Sequence, residues 1–209
     1  MASVKKLILG SQSPFRRTLL SSAGLEFEAV AAPIDEYAIT DDHPGVLASR
    51  RAEAKATAVA AMHPDALVIG ADQVLSFEDL TFDKARDVAT ARERLQALAG
   101  RTHFLHSAFA LAYSNRGDAP VIISSERVDV GMTMRNLSDY EIEAYLATGE
   151  WRGSVGCYQY ENRGAHLFSS VSGDHSSIIG LPLLPLLEKL REAGINALLQ
   201  PSAPWHLRA

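Results

Sequence analysis

The chain has 209 residues, 47% of them apolar, enough to bury the core of a single domain spanning 1–209, built as one unit or as two lobes. Its 25 acidic and 20 basic side chains leave a net charge of −5, which argues against the broad basic surface that duplex nucleic acid requires, although a small anion needs only a local group of cations. The single cysteine, Cys157, excludes an internal disulfide or a multi-cysteine zinc site, and the apolar run after Lys6 is too short for a signal segment or membrane span; a cytoplasmic protein with no nucleic-acid or membrane partner is expected.

Lys6 to Gly10 reads as a first strand. Ser11-Gln12-Ser13-Pro14 then turns into a helix with Ser13 as N-cap and Pro14 at its first position, ending at Gly24. Amides at such a turn, with Arg16 or Arg17 beside them, form an anion site suited to polyphosphate; an ordinary cap with solvated arginines is the alternative. Phe27 to Val30 reads as a short strand leading to Ile34-Asp35-Glu36. From Pro44 to Met62 the alanine-rich sequence has strong helix propensity, with Arg51 and Lys55 four apart, which by local pattern alone are solvent charges.

Leu67 to Leu75 is an apolar run with one carboxylate, Asp72, at its centre. A buried strand carries an ionised acid at a cost of several kcal/mol or more unless a cation, an arginine or lysine, or a reacting water pairs with it. Gly70 and Ala71 remove bulk just before it, which permits close approach. The alternative is that Asp72 ends the strand. Phe77 to Asp83 reads as a hairpin and loop, Val88 to Leu98 as a helix before Gly100, and Arg101 to Ala112 with Val121 to Met134 as an antiparallel pair. Ser138 and Glu141 have capping-box spacing for a helix running to Gly149. Val155 to Tyr160 and Ala165 to Ser170 read as further strands, Ile178 to Leu187 leads into a final amphipathic helix ending at Gly194, and the tail 200–209 is expected to be irregular. The class is α/β (α+β) with a mixed, partly antiparallel sheet.

Ser11, Ser13, Arg16, Glu36, Asp72 and Lys84 all fall at turns or strand ends or within the central strand. Acids for a hard divalent cation and bases for phosphates are the parts of metal-assisted phosphoanhydride chemistry. Phosphate-binding P-loop, dinucleotide, zinc-protease, kinase and serine-hydrolase motifs are absent, and the seven histidines show no helical ligand pair.

From about Leu7 to Ala193 the chain resembles the Maf proteins, a family of nucleoside triphosphate pyrophosphatases. The resemblance rests on Ser11-Gln12-Ser13-Pro14-Phe15-Arg16-Arg17, Ala32-Pro33-Ile34-Asp35-Glu36, Ala52-Glu53-Ala54-Lys55-Ala56 and Ile69-Gly70-Ala71-Asp72-Gln73-Val74. Later pieces are Leu98 to His103, Met134 to Ser138, Tyr145 to Glu150 and Gly180 to Leu183. It implies a two-lobed Maf/ITPase-like fold with a central cleft, often dimeric, that hydrolyses a nucleoside triphosphate between the α and β phosphates with Mg²⁺ or Mn²⁺. Carried over by position, Asp72 is the proton acceptor for the attacking water, Glu36 a metal-linked acid, and Ser11, Ser13, Arg16, Lys55 and Lys84 triphosphate binders. A non-enzymatic role binding a nucleotide or protein in cell division or septum formation is the alternative that the family also suggests.

The sequence departs from the family pattern at Ala85, at His106-Ser107-Ala108 and at Asp174 to Ser177. Within the family, an aromatic at the position of Phe15, glutamine at that of Gln73 and glutamate at that of Glu161 resemble the subgroup acting on 7-methyl-GTP, so a modified purine triphosphate is the expected house-cleaning substrate. The plainer alternative makes Phe15 a core residue and Glu161 a solvated one.

Overall fold

In the computed structural model, which describes residues 6–78 and 80–199, the apolar run around Asp72 becomes β3 (Ala66–Phe77), nearly all of it buried. The irregular tail expected over 200–209 lies outside the described residues. β3 pairs in parallel with β1 (Lys6–Leu9) and, along most of its length, antiparallel with β5 (Thr102–Tyr113). β5 continues antiparallel to β6 (Val121–Met134) and β6 to β7 (Phe168–Ser172), while β1 takes the two-residue β2 (Glu28–Ala29) in parallel on its far side. The order is therefore β2-β1-β3-β5-β6-β7, a mixed sheet, with β4 (Leu80–Phe82) folded back on the end of β3 as the expected hairpin.

The helices follow from their apolar spacing. α2 (Pro44–Met62) presents Ala48, Ala52, Ala56 and Ala60, one per turn, to Ile8, Val68, Val74, Ala108 and Ala110 on one face of the sheet. Alanine against a sheet of small residues brings helix and strand unusually close. A Cβ at Gly70 would lie 2.1 Å from the Ala52 carbonyl oxygen and 2.5 Å from the Ala56 nitrogen, so only glycine fits there. On the other face, Leu20 of α1 (Pro14–Ser22) and Leu186 and Leu190 of α6 (Leu183–Glu192) cover Leu7, Ile69 and Phe109. Further along that face, α3 (Val88–Leu98) and α4 (Asp139–Ala147) cover Leu75, Leu105, Val130 and Met132. The two apolar groups are the two lobes, and β3 and β5 run through both.

Where the lobes meet, the sheet has a gap. β1 stops pairing at Leu9 opposite Ile69, after which the Gly10 amide donates to the Ile69 carbonyl at 2.7 Å, and β4 starts only at Phe82 opposite Leu75. Between them Gly70 to Val74 has a strand neighbour on the β5 side alone. That open stretch of edge is where Asp72 sits; the acid lies inside β3 and does not terminate it.

Two expected strands are corrected. Residues 155–160 form turns and irregular backbone, with Cys157 in the left-handed region (φ 59°) inside the segment and Gly153 (φ 83°) just before it, a conformation that an extended strand does not admit. The segment read as a strand from Ala165 to Ser170 starts as a 3₁₀ turn over Arg163–Leu167, and its strand, β7, begins at Phe168. Near the C-terminus, Gly180 (φ 107°) and Pro182 separate a short α5 (His175–Ile179) from α6. Among the described residues no helix is long and apolar enough to cross a membrane.

Candidate active site

The gap in the sheet opens into a cleft of about 840 Å³, and every site residue named from the sequence lines it: Ser11, Ser13, Phe15, Arg16, Glu36, Lys55, Asp72, Gln73, Lys84 and Glu161. Both faces of β3 contribute. Even-numbered Asp72 points to the α2 side and odd-numbered Gln73 to the α5 side, and the missing neighbour strand lets both reach the same space.

Asp72 is 5% exposed, and its Oδ1 accepts from the Lys55 ammonium at 2.6 Å. The same ammonium is 2.6 Å from Oε2 of Glu36, whose 3₁₀ turn (Glu36–Ala38) is capped by the Asp35 carboxylate accepting from the Tyr37 amide. Lys55 is thus buried and shared between two acids. The solvent charge expected from local pattern is corrected: the alanine ridge drops α2 so near β3 that a lysine on this face reaches the strand edge. Burial pushes the Asp72 carboxyl above the ordinary aspartate range, against the pull of Lys55 and Arg16, and Glu36 adds to the rise by repulsion. Burial acts on Glu36 too, but Lys55 and Lys84 outweigh it and hold its carboxyl below the usual range.

Arg16 is fixed by the loop-and-helix turn. Ser13 caps α1 by accepting from the Arg16 amide, and the guanidinium donates from Nη1 to Ser11 Oγ (3.1 Å) and the Ala71 carbonyl (3.0 Å), and from Nε to the Gly180 carbonyl (2.8 Å). Ala71 presents its carbonyl on the open edge, and Lys55 also approaches it, at 3.4 Å. Arg16 therefore brings charge to the cleft while its Nε and Nη1 tie β3 to the α5–α6 turn. Some turn amides expected to meet an anion are already bonded, since Ser13 N donates to Ser11 Oγ.

Gln73 occupies the seam between the two apolar groups on the α5 side. Its Nε2 faces three acceptors, Ser107 Oγ at 2.8 Å and the carbonyls of Ser177 and Ile178 at 3.0 Å each. The network assigns the amide nitrogen inward and leaves the carbonyl oxygen as the group without a protein hydrogen bond. Two departures from the family pattern join this network: Ser107 also donates to the Ser177 carbonyl, and Asp174 caps α5 by accepting from the Ser177 amide and hydroxyl. Phe15 is half-buried in the cleft wall, outside the apolar core groups. Glu161 is exposed at a turn on the cleft rim beside Tyr160; partial burial raises its carboxyl, Glu150 adds repulsion, and His175 acts in the opposite direction. Lys84 is exposed at the mouth, next to Ala85, which packs on the core of the second lobe.

The residues suit a hard divalent cation. Asp72 Oδ2 is buried with no hydrogen-bond partner, and Glu36 lies across the same ammonium. Among the described residues no group of three or more His, Cys, Asp or Glu is placed to hold a metal alone. A carboxylate such as that of Glu36, with the remaining positions left to water and phosphate oxygens, matches how Mg²⁺ is usually held. Two histidines serve elsewhere: His103 bonds Tyr158 Oη at 2.7 Å, and His106 lies between Ser76 and Asp129.

Sequence reasoning missed Arg51 and Tyr160 as cleft residues. For Arg51 the signal was present in its spacing of one turn from Lys55 on a helix otherwise lined with small side chains; for Tyr160 the erroneous strand assignment hid which way it faces.

A family model described as Maf-like protein matches residues 6–193. A curated relative from Nitrobacter hamburgensis, named nucleoside triphosphate pyrophosphatase, is 49% identical over 201 residues, covering 93% of this chain and 96% of the relative. One from Rhizobium meliloti, named 7-methyl-GTP pyrophosphatase, is 46% identical over 196 residues, covering 90% and 96%. Among solved structures, a HAM1 protein from Coxiella burnetii aligns with a TM-score of 0.40 at 16% identity over 77% of this chain and 90% of that one, too distant to bear on function.

Proposed function

Because the chain belongs to the Maf family, we propose that its cleft hydrolyses a nucleoside triphosphate to the monophosphate and pyrophosphate. The observation that carries this reading is the Lys55 ammonium, 2.6 Å from both Asp72 and Glu36, beside a buried carboxylate oxygen of Asp72 that has no hydrogen-bond partner among the described residues. A buried base with a raised pKa and an unoccupied oxygen is fitted to take a proton from water. Lys55, Arg16 and Lys84 supply the positive charge that four phosphate charges require. Glu36 would hold Mg²⁺ or Mn²⁺, with water and phosphate oxygens as its other ligands, and the contribution of the ion when bound is to neutralise phosphate charge.

The relatives' names divide between the general activity and 7-methyl-GTP at similar identity, so the base is assigned from the cleft. Methylation at N7 makes guanine cationic. Phe15 and Tyr160 offer aromatic faces to such a ring, and Glu161, partly desolvated and repelled by Glu150, is a carboxylate that a cation would relieve. The Gln73 carbonyl oxygen adds an acceptor for a guanine N–H. The substrate we propose is therefore a 7-methylated purine triphosphate.

The test is turnover of 7-methyl-GTP, GTP, dTTP and UTP with separate detection of phosphate and pyrophosphate. Pyrophosphate release at substoichiometric enzyme, fastest on 7-methyl-GTP, is expected; no release from any nucleotide would leave a binding or regulatory role instead.

A further inference from the structure

Arg51 has a charge that the protein does not match. It sits one turn before Lys55 on α2, about 6 Å along the helix axis, and lines the same cleft. Its neighbour Arg50 is satisfied, donating from Nη1 to the Thr40 carbonyl and to Asp41 at 3.0 Å each. Arg51 is half-buried, its Nε has no acceptor, and its one hydrogen bond, from Nη2 to the Ile39 carbonyl, is long at 3.4 Å. The Tyr37 ring lies 6.0 Å away, at the limit of a useful cation–π contact. No carboxylate among the described residues is within ion-pair distance of it. A guanidinium held partly out of water with a buried N–H unpaired is costly unless an anion completes it.

Resting on the pyrophosphatase reading, we propose that Arg51 binds the β and γ phosphates, the half of the substrate that departs as pyrophosphate. Asp72 and Lys55 mark the α phosphate. The base is assigned to α1 and to residues 160–161, whereas Arg51 contacts neither and lies against the 36–39 segment one turn from Lys55. In the reaction the water oxygen bonds to the α phosphorus, a water proton passes to Asp72, and the bond from that phosphorus to the α–β bridging oxygen breaks. Its electron pair leaves with pyrophosphate, where a planar pair of N–H donors meets the new charge.

The experiment measures inhibition by pyrophosphate and by the nucleoside monophosphate for wild type, R51Q and R51K, together with direct pyrophosphate binding by calorimetry. R51Q is expected to weaken pyrophosphate inhibition and binding roughly 10- to 100-fold, to leave monophosphate inhibition unchanged, and to lower kcat/KM by a similar factor, with R51K recovering part of each. Unchanged pyrophosphate binding in folded R51Q overturns the proposal. So does equal weakening of both product ligands, and so does failure of R51Q and R51M to fold, since each marks a structural support for the 36–39 segment. If wild type releases no pyrophosphate from any triphosphate, the activity reading fails, and calorimetry still decides the role of Arg51.

Discussion

Lys55 and Asp72 meet at 2.6 Å across the interval between α2 and β3 that Gly70 keeps narrow. Each lowers the cost of burying the other, and Lys55 has Glu36 as a second partner. Removing one partner of a buried ion pair leaves an uncompensated charge, at a typical cost of about 3–5 kcal/mol, so pair and close approach stand together.

Asp72→Asn keeps the shape of the side chain and removes the proton acceptor. The expected outcome is a folded protein with kcat reduced by about 10² to 10⁴. Steady-state kinetics beside circular dichroism checks this, and near-normal kcat would remove Asp72 from the chemistry.

Lys55 and Glu36 should move the titration of Asp72 in opposite directions. Burial raises it, Lys55 lowers it and Glu36 raises it. Hence Lys55→Met shifts the carboxyl to higher pH, and Glu36→Gln shifts it to lower pH. As the ionised form is the base, activity governed by Asp72 falls as pH falls through its pKa, and this acid limb lies above the ordinary aspartate range. Carbon-13 NMR of the labelled carboxyl in the ligand-free protein measures both shifts without reference to turnover; shifts of the same sign would refute the arrangement.

Chelation is expected to abolish turnover and added Mg²⁺ or Mn²⁺ to restore it, because carboxylate and phosphate oxygens suit hard cations. Glu36→Gln should raise the metal concentration needed for half-maximal rate. Full activity in EDTA would remove Glu36 from that role.

On the base side, Phe15→Ala and Glu161→Gln are each expected to lower kcat/KM for 7-methyl-GTP by roughly 3- to 100-fold, with little change for dTTP or UTP. The comparison to make is the ratio between substrates within each variant. An equal loss on all of them would place Phe15 and Glu161 in general support, and a wild type fastest on dTTP would refute the methylated-purine assignment.

Gly70→Ala puts a methyl group against the backbone of α2, 2.1 Å from the Ala52 oxygen. The helix must move outward. A stability loss of about 1–3 kcal/mol is expected, with a disproportionate loss of activity as Lys55 is carried away from Asp72. Urea denaturation and kcat on the same preparation separate the two effects.

Most of this architecture was legible because its elements carry local signals. The Ser13 cap, the Ser138–Glu141 capping box and the uninterrupted alanine run of α2 produced helices where expected. The strand expected over Val155 to Tyr160 did not form, since the apolar and aromatic content of that segment resembles a strand while its backbone is governed by a left-handed Cys157 and the adjoining Gly153. At the site, Asp72 was legible as an acid in an apolar strand. The burial of Lys55 was not, because an amphipathic reading of α2 cannot register how closely an alanine ridge approaches a glycine on another element; only the family resemblance brought that lysine forward. Arg51 carried a signal in its spacing from Lys55, but its charge alone reads as a solvated face.

The hydrogen bond from Arg16 Nε to the Gly180 carbonyl joins residues 164 apart in the chain, and Gln73 reaches forward 104 and 105 residues, to Ser177 and Ile178. During synthesis the Ser11–Arg17 loop is made first, yet Nε of its Arg16 lacks an acceptor until the turn after α5 has left the ribosome, although Ser11 and Ala71 already accept from Nη1. A nascent chain can therefore assemble β1, α2 and β3 early and still possess no working cleft. Competence arrives only once residues 177–180 are made, and a message truncated before Gly180 would yield a sheet whose buried arginine lacks one of its two carbonyl partners, a candidate for proteolysis in place of a partly active enzyme.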